Sequence, residues 1–563
     1  MENSSTHSVA EYITEFLKSK GVKNAYQLSG GMIAFLTDAM FRSEGFTVIT
    51  NRQEQASGFA AEGASRVSMQ PQVAMATSGP GATNLITAIG SCFFDSSPVI
   101  FITGQVNQAE LRKNKLQRQN GFQELDIVSA VKGFTKFSRQ VLIPEEIPSA
   151  LESAWHHCTE GRPGPVLLDI PIDVQQKQIE RFQIDPTVVP NKSRIPSEVI
   201  DQLRELLSES VNPVILAGGG IRTSQTVESF KNFVERTNLP VFRTLLGNDV
   251  LSTEHSHNIG FIGSYGNRWA NQLLRESDLI LVLGSRLDVR QTGNSIASFI
   301  ENKKIVRVDV DVHEISGRIP TDLAIESDLG SFFESCLNLD YRSNSQTIFE
   351  KAKNLKAEFP TANEQTADLE LNPDIVMKWI SKQFHQTAGY VVDVGQHQMW
   401  AAQSLNLGAN QRFITSGGMG AMGFSLPASI GASIESGEPW VVIAGDGCTQ
   451  LSIAELQTVF QLDLPIKIIV INNAQHGMVA QFQDENMSSR YAGTRDGYSV
   501  PDFVKVADAF GIQALKISKL SDFGEASGLI GKSESKPLLI EIQVSDQAKA
   551  LPKMAVQNNK GSI

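Results

Sequence analysis

The sequence has few cysteines, and the four that are present lie far apart. Its 563 residues contain Cys92, Cys158, Cys336 and Cys448. This number and spacing exclude a disulfide framework and a CxxC zinc site. We therefore expect free thiols, as in a reducing cytoplasm.

Long apolar runs and an excess of positive charge are also missing. No stretch approaches about 18 unbroken apolar residues, which a membrane-spanning helix needs. The N-terminus has no basic segment followed by an apolar core, so no signal peptide is predicted. Lys and Arg total 49 against 61 Asp and Glu, whereas a general nucleic-acid binder is normally basic. We expect no membrane and no nucleic acid as partners.

The chain does contain enough apolar material for several cores. Hydrophobic residues make up 41% of it, and its length suggests about three or four domains. Val9, Ile13, Phe16 and Leu17 mark one face of a first helix, which Gly21 ends.

Short apolar strands alternate with helical segments along most of the chain. The predicted strands form three groups: 72–76, 98–103 and 166–170; 213–217, 279–283 and 305–309; and 390–394, 440–444 and 466–471. Linkers are predicted between the groups at about 181–197, which contains three prolines, and at about 341–373, which is polar and weakly periodic. This alternation is typical of parallel sheets covered by helices, so we predict three α/β domains.

The strongest motif joins two strand ends. One predicted strand runs into a Gly-Asp-Gly turn at 445–447, and the next ends in the Asn-Asn pair at 472–473. The segment Ser-Ile-Ala-Glu at 452–455 matches a capping box, which predicts a helix from there to about residue 460. A helical crossover of this kind normally joins parallel strands of one sheet.

The two strand ends supply ligands for a hard cation. Asp446 offers a carboxylate oxygen and Asn473 an amide oxygen at neighbouring carboxyl ends. A loop carbonyl near Gln475 can complete the protein's share, since Mg²⁺ takes further oxygens from phosphates and water. A Gly-Asp-Gly segment alone is usually an ordinary turn, but the Asn-Asn pair one crossover later favours a magnesium–diphosphate site.

These residues resemble the thiamine diphosphate enzymes. Four further segments are similar to the catalytic subunit of acetohydroxyacid (acetolactate) synthase: Asp393-Val-Gly-Gln-His-Gln-Met-Trp400, Thr415-Ser-Gly-Gly-Met-Gly-Ala-Met-Gly-Phe424, Gly121-Phe-Gln-Glu124 and Gly161-Arg-Pro-Gly-Pro165. The resemblance covers roughly residues 8–545.

The resemblance implies three doubly wound parallel-sheet domains. They are a pyrimidine-binding domain over 1–180, a central FAD-binding domain over 190–345 and a diphosphate-binding domain over 365–545. The tail, 546–563, is polar and is either disordered or closed over the site. Because two subunits build one site in this family, the resemblance implies a homodimer or homotetramer, with a regulatory subunit as an open possibility.

It also implies a transferase that uses thiamine diphosphate, Mg²⁺ and FAD. Pyruvate loses CO₂ on the cofactor, and the two-carbon unit joins the carbonyl of a second substrate. The cofactor supplies the electron sink, and the protein supplies orientation and electrostatics. FAD is expected to be structural in ordinary turnover.

Residue roles are implied where the motifs match. Glu54 aligns with the glutamate that hydrogen-bonds the cofactor's aminopyrimidine, and Phe122 and Gln123 match the donor half of the site. Arg290 matches the arginine that binds the acceptor carboxylate. Met422 aligns with the apolar residue that holds the cofactor bent; without the resemblance, a Met beside glycine is usually core.

Two larger sets complete the implied cofactor contacts. The thiamine diphosphate set is Gln396, His397, Gly420, Gly445, Asp446, Gly447, Cys448, Asn473, Gln475, Gly477 and Met478, with Asp446, Asn473 and Gln475 as metal ligands. The FAD set is Arg162, Gly218, Gly219, Gly220, Thr244, Leu245, Ser264, Tyr265, Gly284, Arg286, Asp309, Val310 and Asp328.

Six positions depart from the biosynthetic synthases, mostly around the acceptor channel. They are Phe482 for Trp, Ile172 for Lys, Ser29 for Pro, Ser264-Tyr265 for Met-His and Val289 for Asp. The first two remove an indole N–H and a charge. The acceptor is therefore either a 2-oxo acid or a larger ketone, such as the keto-deoxysugar nucleotide of branched-sugar synthesis.

Other functions compete with the carboligase. A flavin-redox enzyme of pyruvate-oxidase type would consume oxygen with pyruvate. A non-catalytic homologue would lack Glu54, Asp446 or Asn473, all of which are present. An NAD-dependent dehydrogenase is set aside, because no complete GxGxxG follows a strand and opens a helix.

Overall fold

Parallel strands make up almost all of the sheet structure. The computed structural model describes residues 6–114, 116–180, 195–359 and 369–553. These ranges form three six-stranded sheets with parallel pairing and one two-stranded antiparallel ribbon. The predicted fold class, three parallel-sheet α/β units, is confirmed, while the domain boundaries stay a prediction.

The first sheet lies between residues 24 and 171. Its part of the chain contains β1 (Thr6–Ser8), α1 (Val9–Ser19), β2 (Asn24–Gln27), α2 (Ala34–Arg42), β3 (Thr47–Thr50), α3 (Glu54–Ser68), β4 (Gln72–Ala76), α4 (Pro80–Asn84), α5 (Ile86–Asp95), β5 (Val99–Gln105), α6 (Ile127–Val131), β6 (Phe137–Gln140), α7 (Ile147–Thr159), β7 (Val166–Pro171), α8 (Ile172–Gln175) and β8 (Gln178–Glu180). The strand order is β3-β2-β4-β5-β7-β6, and β1 pairs with β8 in the ribbon.

The middle sheet has the same architecture. Its elements are α9 (Ser197–Glu209), β9 (Pro213–Ala217), α10 (Gly220–Thr223), α11 (Val227–Thr237), β10 (Val241–Arg243), β11 (Asn258–Phe261), α12 (Arg268–Glu276), β12 (Leu279–Leu283), α13 (Val289–Thr292), α14 (Ile296–Ile300), β13 (Lys304–Asp309), α15 (Val312–Ile315), β14 (Leu323–Glu326), α16 (Leu329–Ser335) and α17 (Gln346–Glu358). The strands run in the order β11-β10-β9-β12-β13-β14.

The third sheet follows the second predicted linker. Its elements are α18 (Pro373–Gln383), β15 (Gly389–Val392), α19 (Gln396–Ser404), β16 (Arg412–Thr415), α20 (Ser425–Ser436), β17 (Trp440–Gly445), α21 (Asp446–Ser452), α22 (Leu456–Gln461), β18 (Ile466–Asn472), α23 (Gly477–Asn486), α24 (Phe503–Ala509), β19 (Gln513–Ile517), α25 (Phe523–Lys532) and β20 (Leu538–Gln543). Its order is β16-β15-β17-β18-β20-β19.

Local sequence explains the elements that were predicted well. In α1, the Ser8 and Glu11 side chains form a capping box, and the predicted apolar face is buried. The central strands β4, β5 and β7 are buried along their whole length, as expected when helices cover both faces of a parallel sheet.

The linker predicted at 341–373 is wrong for part of its length. Residues Gln346–Glu358 form α17, which packs on α12. Ile348 and Ala352 are buried, and Leu355 adds to the same apolar core. These residues occupy positions i, i+4 and i+7, which form one helix face. The charged residues around them make this apolar pattern hard to recognise in the sequence. The first linker lies mostly in 181–194, outside the described residues.

The capping box predicted at 452–455 is also wrong. The helix after β17 begins earlier, at Asp446, and Ile453–Glu455 is a 3-10 turn without a side-chain cap. The Glu455 carboxylate instead accepts hydrogen bonds from Asn51 Nδ2 (3.0 Å) and the Arg52 backbone N–H (2.7 Å). Glu455 therefore links the third sheet's helices to the loop just before α3.

Helices α3 and α20 join the first and third sheets at very close range. A Cβ built on Gly63 would lie 1.9 Å from the carbonyl oxygen of Ala428, and one on Gly431 would lie 1.8 Å from that of Ala60. Beside this crossing, Arg66 donates to Glu62, to Asp95 and to the carbonyl of Thr415. The contact tolerates only glycine at both crossing positions, since backbone atoms lie opposite.

We predict that Gly431→Ala destabilises the chain by about 1–3 kcal/mol, because the methyl group must push the two helices apart. The measurement is the thermal unfolding midpoint. Gly528→Ala is the matched control: Gly528 is also helical, but a Cβ there meets nothing within 4 Å. The control should be stabilised slightly, by about 0.5–1 kcal/mol. Equal midpoints for the two variants would contradict the close crossing.

A second prediction concerns Asp169, which is buried in β7. Burial raises the pKa of Asp169 to about 6, and hydrogen bonds from Thr103, Gln140 and Gln105 limit the rise. An unfolded Asp ionises with a pKa of about 3.9. As the pH falls through 6, the folded chain binds a proton at Asp169 before the unfolded chain does. The free energy of unfolding therefore increases as this group is protonated.

Asp169→Asn should remove that increase. Between about pH 8 and pH 5, the unfolding midpoint of the wild type should rise relative to that of the variant. Asp340→Asn, at an exposed position, serves as control. The difference between its unfolding midpoint and that of the wild type should stay constant over the same pH interval. A wild-type midpoint that falls relative to Asp169→Asn over this interval would show the opposite sign of the pKa shift.

Candidate active site

Asp446 is the centre of the predicted cation site. β17 and β18 are adjacent and parallel, so Asp446 and Asn473 follow neighbouring strand ends as predicted. The Asp446 Oδ2 atom accepts the backbone N–H groups of Asn473 (3.1 Å) and Ala474 (2.8 Å). Burial raises the pKa of Asp446, and these hydrogen bonds together with one from Tyr498 oppose the rise.

The third predicted ligand, Gln475, contributes differently. Its side chain donates to the carbonyl of Asp546 (2.7 Å) and accepts from Arg495 Nε (2.6 Å). The amide thus points away from Asp446, and the backbone carbonyl is what Gln475 can offer. No cluster of three or more His, Cys, Asp or Glu side chains suited to a metal occurs in the described ranges.

Gln396 and His397 follow β15, beside β17. The order β16-β15-β17 makes this the point where the chain changes direction across the sheet, which is where α/β sheets bind ligands. Gln396 Oε1 accepts from Asn473 Nδ2 (3.0 Å), which links it directly to the cation site. Burial lowers the pKa of His397 to about 4, so the ring is neutral at pH 7, and its Nε2 accepts from the Gly445 N–H.

Three glycines make room for these side chains. A Cβ on Gly445 would lie 2.9 Å from His397, one on Gly477 2.0 Å from Gln396, and one on Gly447 2.8 Å from His476. These side chains therefore pack directly against the backbone at the N-termini of α21 and α23, where the first N–H groups have no partner within the helix. Met478 is half-buried in the first turn of α23.

The predicted bend-supporting residue lies on a tight loop. Gly420 and Gly423 have φ values of 68° and 79°, in the left-handed region. Met422, between them, is half-buried against the third sheet's core. The buried Asp393 carboxylate holds the loop by accepting from the N–H groups of Gly423 and Ser425.

Cys448 contributes no exposed side chain. Its thiol donates to the carbonyl of Val394 at 3.2 Å and is buried. Burial raises the pKa of Cys448 well above its usual range. Only its backbone can meet a ligand.

Glu54 lies at the first position of α3 and is 8% exposed. Its Oε2 atom accepts from Asn84 Nδ2 (2.9 Å), and Oε1 lies 3.4 Å from the position of a Cβ on Gly81. No hydrogen bond in the described part of the chain joins the Glu54 side chain to the loops of the third sheet. The Glu54 carboxylate is thus shielded from solvent, but the third sheet of the same chain supplies no hydrogen bond to it among the described residues.

Phe122 and Gln123 lie on a neighbouring loop. Phe122 is 80% exposed, and Gln123 has a φ of 66°. A Cβ on Gly79 would lie 2.9 Å from Gln123 Cβ. Because Gly79 directly precedes α4, which contains Gly81 and Asn84, the structure brings Gln123 and Glu54 to one end of the first sheet.

A cavity of about 420 Å³ lies at the middle sheet. It is lined by nearly all residues of the predicted FAD set, namely Arg162, Gly219, Gly220, Thr244, Leu245, Ser264, Tyr265, Gly284, Arg286, Asp309, Val310 and Asp328. Gly218 is the exception: a Cβ there would lie 2.1 Å from the carbonyl oxygen of Gly284, so this glycine lets two strand ends approach. Those ends follow β9 and β12, the crossover point of the sheet.

Arg290 lines the same cavity, beside the positions that depart from the synthases. Its backbone carbonyl accepts from the Ser264 N–H at 2.7 Å, which places Arg290 next to Tyr265. The Arg286 side chain, in contrast, forms an ion pair with Asp288 (3.0 Å). Arg162 pairs with Glu314 (2.7 Å) and so joins the first and middle sheets.

Part of the C-terminal tail is packed rather than free. The carbonyls of Ala548, Lys549 and Ala550 accept from Gln396, Trp400 and Gln481, respectively. Residues 546–553 thus lie across α19 and α23, and 554–563 lie outside the described residues.

Several residues of the site were missed by the sequence analysis. Asp393 stood inside a matching segment and was given no role, although an acid at a strand end is a detectable signal. Asn84, Glu455 and Tyr498 act through contacts between distant segments, and nothing in their spacing marks them.

None of the helices in the described ranges is both long and apolar enough to cross a bilayer. All four cysteines are buried free thiols.

Three family models match consecutive parts of the chain. They are the thiamine pyrophosphate enzyme N-terminal TPP binding domain over residues 7–130, the central domain over 200–336 and the C-terminal TPP binding domain over 393–542. Each match falls on the part of the chain that forms one of the three sheets, although the first ends before β6 and β7 and the third begins just after β15.

Curated relatives are similar to this chain over nearly its whole length. The acetolactate synthase large subunit of Corynebacterium glutamicum is 34% identical, covering 98% of this chain and 89% of the relative. That of Lactococcus lactis is 35% identical, with 97% and 94% covered. The mitochondrial acetolactate synthase catalytic subunit of Saccharomyces cerevisiae is 32% identical, with 97% and 82% covered. The chain therefore belongs to the thiamine pyrophosphate enzyme family, in the group of the acetolactate synthase large subunits.

Proposed function

We propose that the protein is a carboligase that decarboxylates pyruvate and transfers the two-carbon unit to the carbonyl of a second substrate. The observation that supports this most directly is the convergence of Asp446, Asn473 and Gln396 at the crossover of the third sheet. Thiamine diphosphate, when bound, supplies the electron sink for decarboxylation. The acetolactate synthases are named for a product of this reaction type.

The residues fit a magnesium–diphosphate group. Asp446 and the amide of Asn473 are hard oxygen ligands, and with the Gln475 carbonyl they leave positions for phosphate oxygens and water. Gly445 and Gly477 lie at the N-termini of α21 and α23, where an anion is favoured. His397 and Gln396 are close enough to orient the diphosphate.

The cavity at the middle sheet fits FAD. It combines glycines at two strand ends with Arg162 and Arg286, whose planar groups suit phosphate. In this proposal the flavin has a structural part, and Arg162 would connect it to the first sheet.

In the donor half, Glu54 would hold a proton at N1′ of the aminopyrimidine, and its shielded position suits that task. Phe122 and Gln123, presented on the loop at Gly79, would face the substrate. Met422 would support the bent cofactor from the other side.

For the acceptor we propose a 2-oxo acid bound by Arg290. The guanidinium lies at the cavity beside Tyr265 and can take a carboxylate through two parallel hydrogen bonds. A keto-deoxysugar nucleotide is the second candidate. Phe482, half exposed on α23, and Ile172 favour it, because both replace more bulky or charged residues of the synthases.

The partners and location follow from the same proposal. We propose a homodimer or homotetramer, since Glu54 and Asp446 are not joined within one chain, with a regulatory subunit as a further partner. The buried free thiols are compatible with the cytoplasm.

The function is tested by incubating the protein with pyruvate, thiamine diphosphate, Mg²⁺ and FAD. We expect CO₂ release and acetolactate from pyruvate alone. CO₂ and product only after addition of a keto-sugar nucleotide would assign the second candidate, and stoichiometric oxygen uptake would assign an oxidase.

Glu54→Gln should lower the rate of CO₂ release by about 100-fold or more, because the amide cannot hold the proton. Its unfolding midpoint should be unchanged, since Gln can still accept from Asn84. The control is Glu44→Gln, an exposed glutamate in the loop between α2 and β3, which should keep full activity. Unchanged turnover in Glu54→Gln would refute the assigned role.

Subunit sharing can be tested with a hybrid dimer of one Glu54→Gln chain and one Asp446→Ala chain, purified through two different tags. If each site uses Glu54 of one chain and Asp446 of the other, one of two sites is intact and about half of the wild-type activity returns. If each site lies within one chain, both sites are damaged and the hybrid is as inactive as the single variants.

A further inference from the structure

A tyrosine outside all of the matched motifs holds the carboxylate of Asp446. Tyr498 lies in the loop between α23 and α24, and its hydroxyl donates to Asp446 Oδ1 at 2.7 Å. The hydroxyl also accepts from Gln450 Nε2 at 3.1 Å. Because Gln450 supplies a donor to the oxygen, the hydroxyl proton is directed at the carboxylate.

The position of this hydroxyl is fixed by packing. The Tyr498 and His476 rings lie 4.3 Å apart between centroids. Atoms of both side chains lie close to Gly447, where a Cβ would be 2.8 Å from His476 Cε1 and 3.2 Å from Tyr498 Oη. Gln450 is on α21, one turn after Asp446, so the same helix that begins with the carboxylate also orients its partner.

Three donors therefore act on one carboxylate. Oδ2 accepts from the N–H groups of Asn473 and Ala474, and Oδ1 accepts from Tyr498. An ionised carboxylate has about four lone-pair directions, so about one direction is left for a cation. Rotation of the group would break at least one of the three bonds.

We propose that Tyr498 is a positioning residue of the cation site: oriented by Gln450, its hydroxyl fixes the orientation of the Asp446 carboxylate, whose remaining lone pair would hold the metal. This inference rests on the proposed function, because it takes the cation at Asp446 as given. Removing a partner that orients a metal ligand typically lowers metal affinity by about 10- to 100-fold.

The test uses Mn²⁺, whose free concentration is read by electron paramagnetic resonance, with the metal-free full-length protein and thiamine diphosphate. Tyr498→Phe should weaken Mn²⁺ binding by about 10-fold or more, whereas the KM for pyruvate at saturating metal stays within about twofold of wild type. Gln450→Leu keeps the tyrosine but removes its orienting donor, and should weaken Mn²⁺ binding in the same direction by less.

Tyr491→Phe is the matched control. Tyr491 lies in the same loop, but its hydroxyl donates to Asp484 and not to Asp446. The Tyr491→Phe variant should bind Mn²⁺ with the same affinity as the wild type. Gln450→Leu also covers the case in which Tyr498→Phe does not fold.

The outcomes separate this inference from the proposed function. Unchanged or tighter Mn²⁺ binding in Tyr498→Phe overturns the inference, and tighter binding would mean that the hydroxyl stands in the cation's place. A lower unfolding midpoint with unchanged metal binding also overturns it, by showing a structural role only. Absence of Mn²⁺ binding in the wild type would overturn the proposed function instead.

Discussion

A single buried carboxylate organises the diphosphate end of the site. Asp446 lies at the first position of a helix, where the helix dipole favours negative charge. Burial alone works against that charge, and hydrogen bonds from Asn473, Ala474 and Tyr498 work in its favour. A divalent cation bound there would favour the charged carboxylate most strongly, since it would place two positive charges beside it. The arrangement of β17, β18 and their loops can be understood as the support of this one group.

The rest of the molecule keeps the first and third sheets of one chain in a fixed relation. The crossing of α3 and α20 brings backbone to backbone at Gly63 and Gly431, which no larger residue would allow. Glu455 ties the helices after Asp446 to Asn51 and Arg52, just before Glu54. The position of Glu54 is thus set by the third sheet, even though no hydrogen bond among the described residues joins its carboxylate to that sheet. Such rigidity matters because catalysis by orientation is lost with small displacements.

The sequence predicted the repeated layers and the strand-end motifs but not the contacts between segments distant in the chain. Buried strands such as β9 and β12 are continuous apolar runs, so their period and boundaries are visible locally. The convergence of Asp446 and Asn473 followed from one topological rule about crossovers. In contrast, Glu455 was misread as a cap because its true partners are some 400 residues away, and α17 was misread as a linker because its apolar stripe is narrow. Tyr498 could not be assigned at all, since only folding brings its loop to Asp446.

The central claim is that a divalent cation at Asp446 and Asn473 anchors thiamine diphosphate by its diphosphate. Calorimetric titration of the protein with thiamine diphosphate, in Mg²⁺ and in excess chelator, tests it most directly. The account predicts saturable binding with Mg²⁺ and its loss in chelator. Binding of equal strength without the metal, or no heat under either condition, would contradict it.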